Sequence, residues 1–272
     1  MRQHDGDNVF SGSVPEIYDS LLVPLIFEPY AGDLAGRVAA RRPRRVLEIA
    51  AGTGVVTRQL AALLPEATAI VATDLNEPML QRAATVGTPR PVEWRQADAL
   101  QLPFEDASFD AVACQFGVMF FPDQARAFGE ARRVLAQGGT LFFNVWDRIE
   151  ENEFAHTVVS ALAELFPVDP PRFLARTPHG YHDRLGIERD LRRGGFTAAA
   201  EFVTLGARSR AAAPSIPAVA YCQGTPTRGE IEQRQPGGLA AATAACTAAV
   251  SARFGAAAVD GRIQAHIIAI AV

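Results

Sequence analysis

Short apolar runs alternate with helical patterns along most of this chain. Apolar residues that recur three or four positions apart predict helices, and short uninterrupted apolar runs predict buried strands. The predicted strands cover residues 45–50, 69–73, 92–96, 111–114, 141–147, 196–205 and 259–270. Because strands that alternate with helices are typical of a parallel sheet covered by helices, the pattern predicts an α/β fold.

The N-terminal part is predicted to be helical. A helix is expected to begin after Ser13, its predicted N-cap, with Ile17 and Leu21 on its apolar face. A second helix is expected over 29–40. Residues 1–12 are small and polar, and we expect them to be disordered.

The pattern is less regular after residue 147. Helices are predicted over 153–166, 185–193 and 239–254. The stretch 206–238 is rich in Pro and Gly, and we expect it to be a long connection that covers one edge of the sheet.

The first predicted strand leads into a loop of small residues, Ala50 to Gly54, and a helical pattern starts after it. Backbone N–H groups at a helix N-terminus face outward and bind anionic or polar ligands. Glycine lets the backbone turn freely and approach such a ligand closely. This loop is therefore the first candidate for a binding site.

Asp74 is the second candidate, because it ends the second predicted strand 20 residues after Gly54. In dinucleotide and nucleoside folds an acid at this place accepts hydrogen bonds from the ribose hydroxyls. Alternatively, the carboxylate caps the helix that is expected to start near Pro78. The two roles are compatible, and we favour the ribose role.

Three segments resemble a known family, the ubiquinone/menaquinone-biosynthesis-type (type 11) class I S-adenosylmethionine (SAM) dependent methyltransferases. Glu48-x-Ala50-x-Gly52-x-Gly54 resembles the first motif of the class, an acidic residue followed by G-x-G-x-G, with alanine at the first glycine position. Residues 73–80 are similar to the family segment D-x-S-x-x-M-L, and residues 98–104 to D-A-x-x-L-P-F. The segments follow one another in the order and spacing of the family.

The resemblance implies SAM as the cofactor and a role for individual residues. Leu75 and Met79 would pack on the adenine, and Asp98 would accept a hydrogen bond from its amino group. Tyr18 would lie near the methionine part, or else be an ordinary half-buried aromatic residue. Gln115 ends the fourth strand and would face the transferring methyl group. The predicted cofactor-binding residues are Tyr18, Glu48, Ala50, Gly52, Thr53, Gly54, Asp74, Leu75, Met79, Asp98, Ala99 and Gln115.

The resemblance also implies the whole architecture. We expect a Rossmann-like, doubly wound sheet of seven strands, mostly parallel with an antiparallel last strand, with helices on both faces and a lid insertion after the fifth strand. A single domain over 1–272 is expected. Its expected parts are N-terminal cap helices (1–42), the SAM-binding core (43–147), the lid (148–185) and a C-terminal part that completes the sheet (186–272).

The composition excludes several kinds of partner and of chemistry. The net charge of −4 gives no reason to expect nucleic acid or an anionic membrane as a partner. All 26 basic residues are arginine, which excludes Schiff-base lysine chemistry and a P-loop lysine. Three scattered cysteines, a polar N-terminus unlike a signal peptide, and the lack of an apolar run of about 20 residues favour a cytoplasmic protein.

The methyl acceptor is less defined than the cofactor. The stretch 115–121 is apolar and lacks the motifs of methyltransferases that modify nucleic acid or protein, which favours a small, partly apolar molecule. Cys114 is expected to be a small core residue. No catalytic residue is assigned. His179 and His182, with Asp183, could hold a metal or supply a general base, and we expect no metal.

Two other functions stay open at this stage. A nicotinamide-dependent oxidoreductase would use a related glycine loop, but the stretch 52–57 lacks the third small residue of G-x-G-x-x-G. A protein that binds SAM without catalysis is compatible with the same residues, because methyltransferases have no universal catalytic residue. The oligomeric state does not follow from the sequence.

Overall fold

A computed structural model describes residues 14–272, and seven strands of these residues form one sheet. The spatial order is β3-β2-β1-β4-β5-β7-β6. The strands are β1 (Arg45–Ile49), β2 (Ala69–Asp74), β3 (Glu93–Gln96), β4 (Phe109–Gln115), β5 (Leu135–Trp146), β6 (Glu201–Ala211) and β7 (Val259–Ala271). The predicted seven-stranded α/β fold is confirmed.

Strand directions also agree with the prediction. The first five strands run parallel, and the order reverses between β1 and β4. In β5 and β7 the residue numbers of bonded partners run in opposite directions. The N–H of Val272 donates to Gly139 O at 3.0 Å, and that of Asp147 to Gln264 O at 3.1 Å. The last strand is therefore antiparallel, and the reversal between β1 and β4 is where ligands bind in open sheets of this type.

Eleven α-helices connect or flank the strands in the described part of the chain. They are α1 (Val14–Ile17), α2 (Glu28–Ala40), α3 (Val55–Leu63), α4 (Glu77–Val86), α5 (Gln124–Val134), α6 (Glu153–Leu165), α7 (Phe173–Arg176), α8 (Arg184–Arg193), α9 (Ser215–Gln223), α10 (Thr227–Arg234) and α11 (Leu239–Phe254). A π-helical stretch, Tyr18–Phe27, follows α1 and contains Pro24. Among residues 14–272, no helix is long and apolar enough to span a membrane.

The chain divides into two compact units. One comprises the described residues up to Phe27 together with Trp146–Gly180 and Gly206–Gln264. The core of this unit lies between α6, α9 and α11, where Phe154 packs edge to face on Phe254 with ring centroids 4.9 Å apart.

The other unit comprises Glu28–Val145, Tyr181–Leu205 and Ala265–Val272. It contains β1 to β4 and the glycine loop. Leu47, Phe109 and Phe143 are among its fully buried side chains. The expectation of a single domain, with the boundaries given above, stays a prediction.

The stretch 206–238 was predicted wrongly as a connection. Strand β6 continues to Ala211, and α9 and α10 follow it. Prolines explain the error, because Pro214 and Pro226 stand at the N-caps of these helices and Pro217 lies in the first turn of α9. A proline in the first helical turn loses no hydrogen bond and favours helix initiation.

The first residues of two strands differ from the predicted ones. Strand β5 begins at Leu135, not 141, and the register with β4 is interrupted between Phe109 and Ala111. Strand β6 begins at Glu201 where 196 was expected. The predicted cap Ser13 and the expected disorder of residues 1–12 lie outside the described residues.

Candidate functional site

The loop after β1 has an unusual backbone. Ala50, Gly52 and Gly54 have φ angles of 54°, 57° and 82°, in the left-handed region. Glycine adopts such angles at no steric cost, whereas alanine is strained by about 1–2 kcal/mol. The N–H of Ala51 donates to Thr73 O at 2.9 Å, which fixes the loop to the end of β2.

Gly117 makes room for the methyl group of Ala50. A Cβ atom on Gly117 would lie 2.5 Å from the Cβ of Ala50 and 2.7 Å from Cys114 Sγ. The loop at the end of β1 and the loop at the end of β4 are therefore in close contact through a glycine. The lack of a side chain at Gly117 therefore leaves space for alanine at the first glycine position of the motif.

Glu48 is the acid of the motif, and it lies in the core. Its side chain is 1% exposed and accepts a hydrogen bond from Thr57 Oγ1 at 2.5 Å. Burial raises the pKa of Glu48 to about 8. The carboxyl group therefore keeps its proton to a higher pH than an exposed glutamate does. Its hydrogen bond to Thr57 connects β1 to α3.

This pKa predicts a pH dependence of stability. Glu48 has a higher pKa in the folded chain (about 8) than its ordinary value of 4.5, so its contribution to stability is complete below pH 4.5 and is lost as pH rises towards 8. Within this window the free energy of unfolding should fall by up to about 1.4 kcal/mol per pH unit. Glu48→Gln keeps the neutral shape, so denaturant unfolding at several pH values should show a flatter profile. An unchanged profile would contradict the assignment.

Asp74 is held by the backbone of its neighbours. Its Oδ2 accepts the N–H of Gly52 at 2.8 Å, and its Oδ1 accepts the N–H of Asn76 at 2.8 Å. Burial raises its pKa, and these hydrogen bonds oppose that effect. The carboxylate thus links the glycine loop to the residue before α4. The alternative role as a helix cap is not seen, because Asn76 is the N-cap of α4 and no side chain caps that helix. The ribose role stays a prediction.

Thr53 has a buried hydroxyl group without a partner. The residue is 1% exposed, and its Oγ1 has no hydrogen bond to any described residue. Because buried polar groups are nearly always hydrogen-bonded, an orphaned hydroxyl in a glycine loop fits a site completed by a polar ligand. The residues present therefore fit the predicted cofactor.

The predicted adenine-binding residues follow β2 and β3. Leu75 is 48% exposed, which is unusual for leucine, whereas Met79 is buried. Asp98 is exposed, and its Oδ1 accepts the N–H of Leu100 at 2.8 Å. Ala99 is buried. Leu75 is therefore free to cover a ligand, whereas Met79 serves the core, and the predicted contacts of both residues with adenine remain predictions.

Asn144 organises the end of β4. It is fully buried; its Oδ1 accepts the N–H of Phe116 at 2.9 Å, and its Nδ2 donates to Gln115 Oε1 at 3.3 Å. Phe116 has a φ of 51°, which is strained for a bulky residue. Strained backbone at the ends of two adjacent strands, β1 and β4, marks this edge as the candidate site. The sequence analysis named Gln115 but missed Asn144, Gly117 and Thr57.

Tyr18 and His179 belong to the first unit described above. Tyr18 stacks on Phe27 with ring centroids 5.0 Å apart. His179 is buried, and its Nδ1 lies 2.8 Å from Asp147 O. The predicted role of Tyr18 and the general-base hypothesis for His179 stay predictions.

The metal hypothesis finds no support in the described residues. Asp183 accepts the N–H of Gly186 at 2.9 Å and so caps α8. Residues 14–272 contain no cluster of three or more His, Cys, Asp or Glu side chains that could hold a metal ion. Cys114 is a buried free thiol whose pKa burial raises to about 12, as expected for a core residue.

Residues 47–143 match a family model described as Methyltransferase domain. The demethylmenaquinone methyltransferase of Thermus thermophilus is 44% identical over 103 residues, covering 37% of this chain and 46% of that protein. The ubiquinone/menaquinone biosynthesis C-methyltransferase UbiE of Cronobacter sakazakii is 36% identical over 105 residues, covering 37% of this chain and 42% of that protein. The chain thus spans less than half the length of these curated relatives.

The fold has a counterpart among solved structures. The protein BH2331 of Bacillus halodurans C-125 is similar over 88% of this chain and 98% of its own, with a TM-score of 0.56 and 20% identity. At this identity the similarity establishes the fold. The match of residues 47–143 to the family model confirms the sequence resemblance over that part of the chain.

Proposed function

We propose that this chain is a SAM-dependent methyltransferase that acts on a small, partly apolar molecule. The observation that carries the proposal is the buried, unpartnered hydroxyl of Thr53 in a left-handed loop, adjoining Gly52, which is held by Asp74. The match of residues 47–143 to a methyltransferase domain supports it. The names of the similar quinone methyltransferases are consistent with a small-molecule acceptor.

The proposed chemistry asks little of the protein beyond binding and orientation. SAM supplies a methyl group bound to a positively charged sulfonium. When the acceptor takes this methyl group, the sulfur is left as a neutral thioether, so that no acid is needed to protonate the leaving group. Asp74 and the glycine loop bind the cofactor. Asn144 fixes Gln115 and Phe116 at the end of β4, which restricts the geometry there. Holding reactants in line and away from water provides most of the catalysis.

The acceptor atom, O, N or C, is not assigned. A general base is required only where the nucleophile must lose a proton, and no residue is assigned to that role. A partly apolar acceptor is supported by the apolar stretch after β4, where Phe116, Val118 and Met119 are buried. We also propose that the protein works in the cytoplasm without nucleic acid or a membrane as partner.

Two alternatives predict different results. A nicotinamide-dependent oxidoreductase would bind NAD, and its expected G-x-G-x-x-G motif is absent from residues 52–57. A SAM-binding protein without catalysis would bind the cofactor and leave it unchanged.

Methyl transfer tests the proposal. The purified protein is incubated with SAM labelled in the methyl group and with a small-molecule extract, a protein fraction or an RNA fraction. We expect label in the small-molecule products, and much less with Asp74→Ala. Label mainly in RNA or protein would contradict the substrate class, and tight SAM binding without transfer to any fraction would favour the non-catalytic alternative.

A further inference from the structure

A pocket separate from the glycine loop lies at the opposite end of the strands, where β1 begins. Its volume is about 230 Å³, and Arg41, Arg42, Arg44, Asp110 and Thr140 are among its lining residues. The three arginines precede β1, Asp110 is the second residue of β4, and Thr140 of β5 pairs with Ala111 of β4. The glycine loop, in contrast, follows the other end of β1. Since β1 contains five residues at about 3.3 Å each, the two places are separated by roughly 15 Å.

The three arginines of this pocket are exposed and lack partners. None of their guanidinium groups has an ion pair or hydrogen bond to another described residue. Other arginines in the chain are paired, as Arg37 is with Asp33 at 2.6 Å and Arg133 with Glu130 at 2.8 Å. Three unpaired positive charges around one concavity are notable in a chain with a net charge of −4.

Asp110 is the one acid that lines this pocket, and the backbone already engages it. Its Oδ2 accepts the N–H groups of Arg44 and Arg45 at 2.8 and 2.9 Å. The carboxylate therefore fixes the chain that carries Arg44. The pocket keeps a formal charge of +2, the balance of three arginines and one aspartate.

Arg42 has a backbone conformation that favours glycine. Its φ is 51°, directly after the last turn of α2, where the N–H of Arg42 donates to Ala39 O at 3.0 Å. Glycine is the usual residue in a left-handed position that ends a helix. An arginine there is strained, and its side chain lines the pocket.

We propose that this pocket binds a diphosphate group, either as inorganic pyrophosphate or as part of a small phosphorylated molecule. Guanidinium groups present a planar fork that matches phosphate oxygens, and several of them together favour an anion with more than one charge. The volume is below the roughly 300–1,000 Å³ of clefts for drug-sized ligands, which suits a small anion. This inference is independent of the proposed methyl transfer, because the pocket and the glycine loop lie at opposite ends of β1.

Calorimetric titration with pyrophosphate at low ionic strength tests the proposal. We expect saturable 1:1 binding that Arg41→Ala/Arg44→Ala weakens by more than about tenfold. The control Arg132→Ala/Arg172→Ala removes two exposed arginines outside the pocket, with the same change in net charge, and should weaken binding less than about threefold. SAM affinity should be the same in both double variants and with pyrophosphate present, since the sites are separate.

Titrations with ADP, AMP and phosphate distinguish the sources of the diphosphate. ADP binding as tightly as pyrophosphate would identify a diphosphate carried by a small molecule, and pyrophosphate alone would identify the free anion. Arg42→Gly should raise the melting temperature and weaken binding at once, because it removes both strain and charge. No pyrophosphate binding at 1 mM, an equal loss in both double variants, or binding only to anionic phosphatidylglycerol vesicles would overturn the proposal.

Discussion

Asp74→Ala is expected to weaken SAM binding by more than about tenfold, because it removes a charged acceptor for the ribose hydroxyls. It also removes the acceptor for the N–H groups of Gly52 and Asn76, which lie 2.8 Å from its carboxylate oxygens. A buried N–H group without a partner costs about 1–3 kcal/mol. The structure therefore adds a loss of stability, where the sequence alone predicts a purely local effect on binding.

Binding and stability must be measured on the same variants. Calorimetry with SAM gives the affinity, and denaturant unfolding gives the stability. Glu77→Ala removes an exposed acid three residues away, with the same change in net charge, and should alter neither. If Asp74→Ala stays folded and binds SAM as well as the unchanged protein does, the ribose assignment is wrong.

Gly117→Ala should have the second large effect. The backbone of Gly117 has φ −95° and ψ −37°, which alanine adopts freely, so that the effect is purely steric. The new Cβ would lie 2.5 Å from that of Ala50 and would push the glycine loop away from the end of β4. Overpacking of this kind costs about 1–3 kcal/mol, and SAM binding should weaken by about tenfold or more.

A second substitution tests the cause. Ala50→Gly removes the methyl group that Gly117→Ala would strike, and it relieves the left-handed strain at φ 54°. The double variant should recover part of the lost stability and affinity, with a coupling of about 1 kcal/mol or more. Recovery is partial, because Cys114 Sγ still lies 2.7 Å from the new Cβ.

Gly36→Ala is the control for this pair. It adds the same methyl group within α2, where the new Cβ meets no atom within 4 Å apart from the nearby backbone of the helix itself, and it should be neutral or slightly stabilising. Equal effects of Gly117→Ala with and without Ala50→Gly would contradict the steric explanation.

Strands β1, β2 and β4 could be predicted from local patterns, because a buried parallel strand is a short apolar run wherever it stands in the chain. The stretch 206–238 could not, since Pro214 and Pro226 read as loop signals although they begin helices α9 and α10. Residues 135–140 look like a helix followed by glycines, but hydrogen bonds to β4 and to Val272 make them part of β5. These pairings depend on the tertiary structure.

The same distinction applies to the site. The glycine loop and Asp74 form contiguous motifs whose spacing is visible in the sequence. Asn144 and Gly117 matter because β4 and β5 lie side by side, and nothing in their local sequence marks them.

Calorimetric titration of the purified protein with SAM, with NAD as the control, measures whether the glycine loop is a SAM site. We expect 1:1 binding of SAM with micromolar affinity and no binding of NAD. Binding of NAD without SAM would contradict this expectation and would assign the glycine loop to a nicotinamide cofactor.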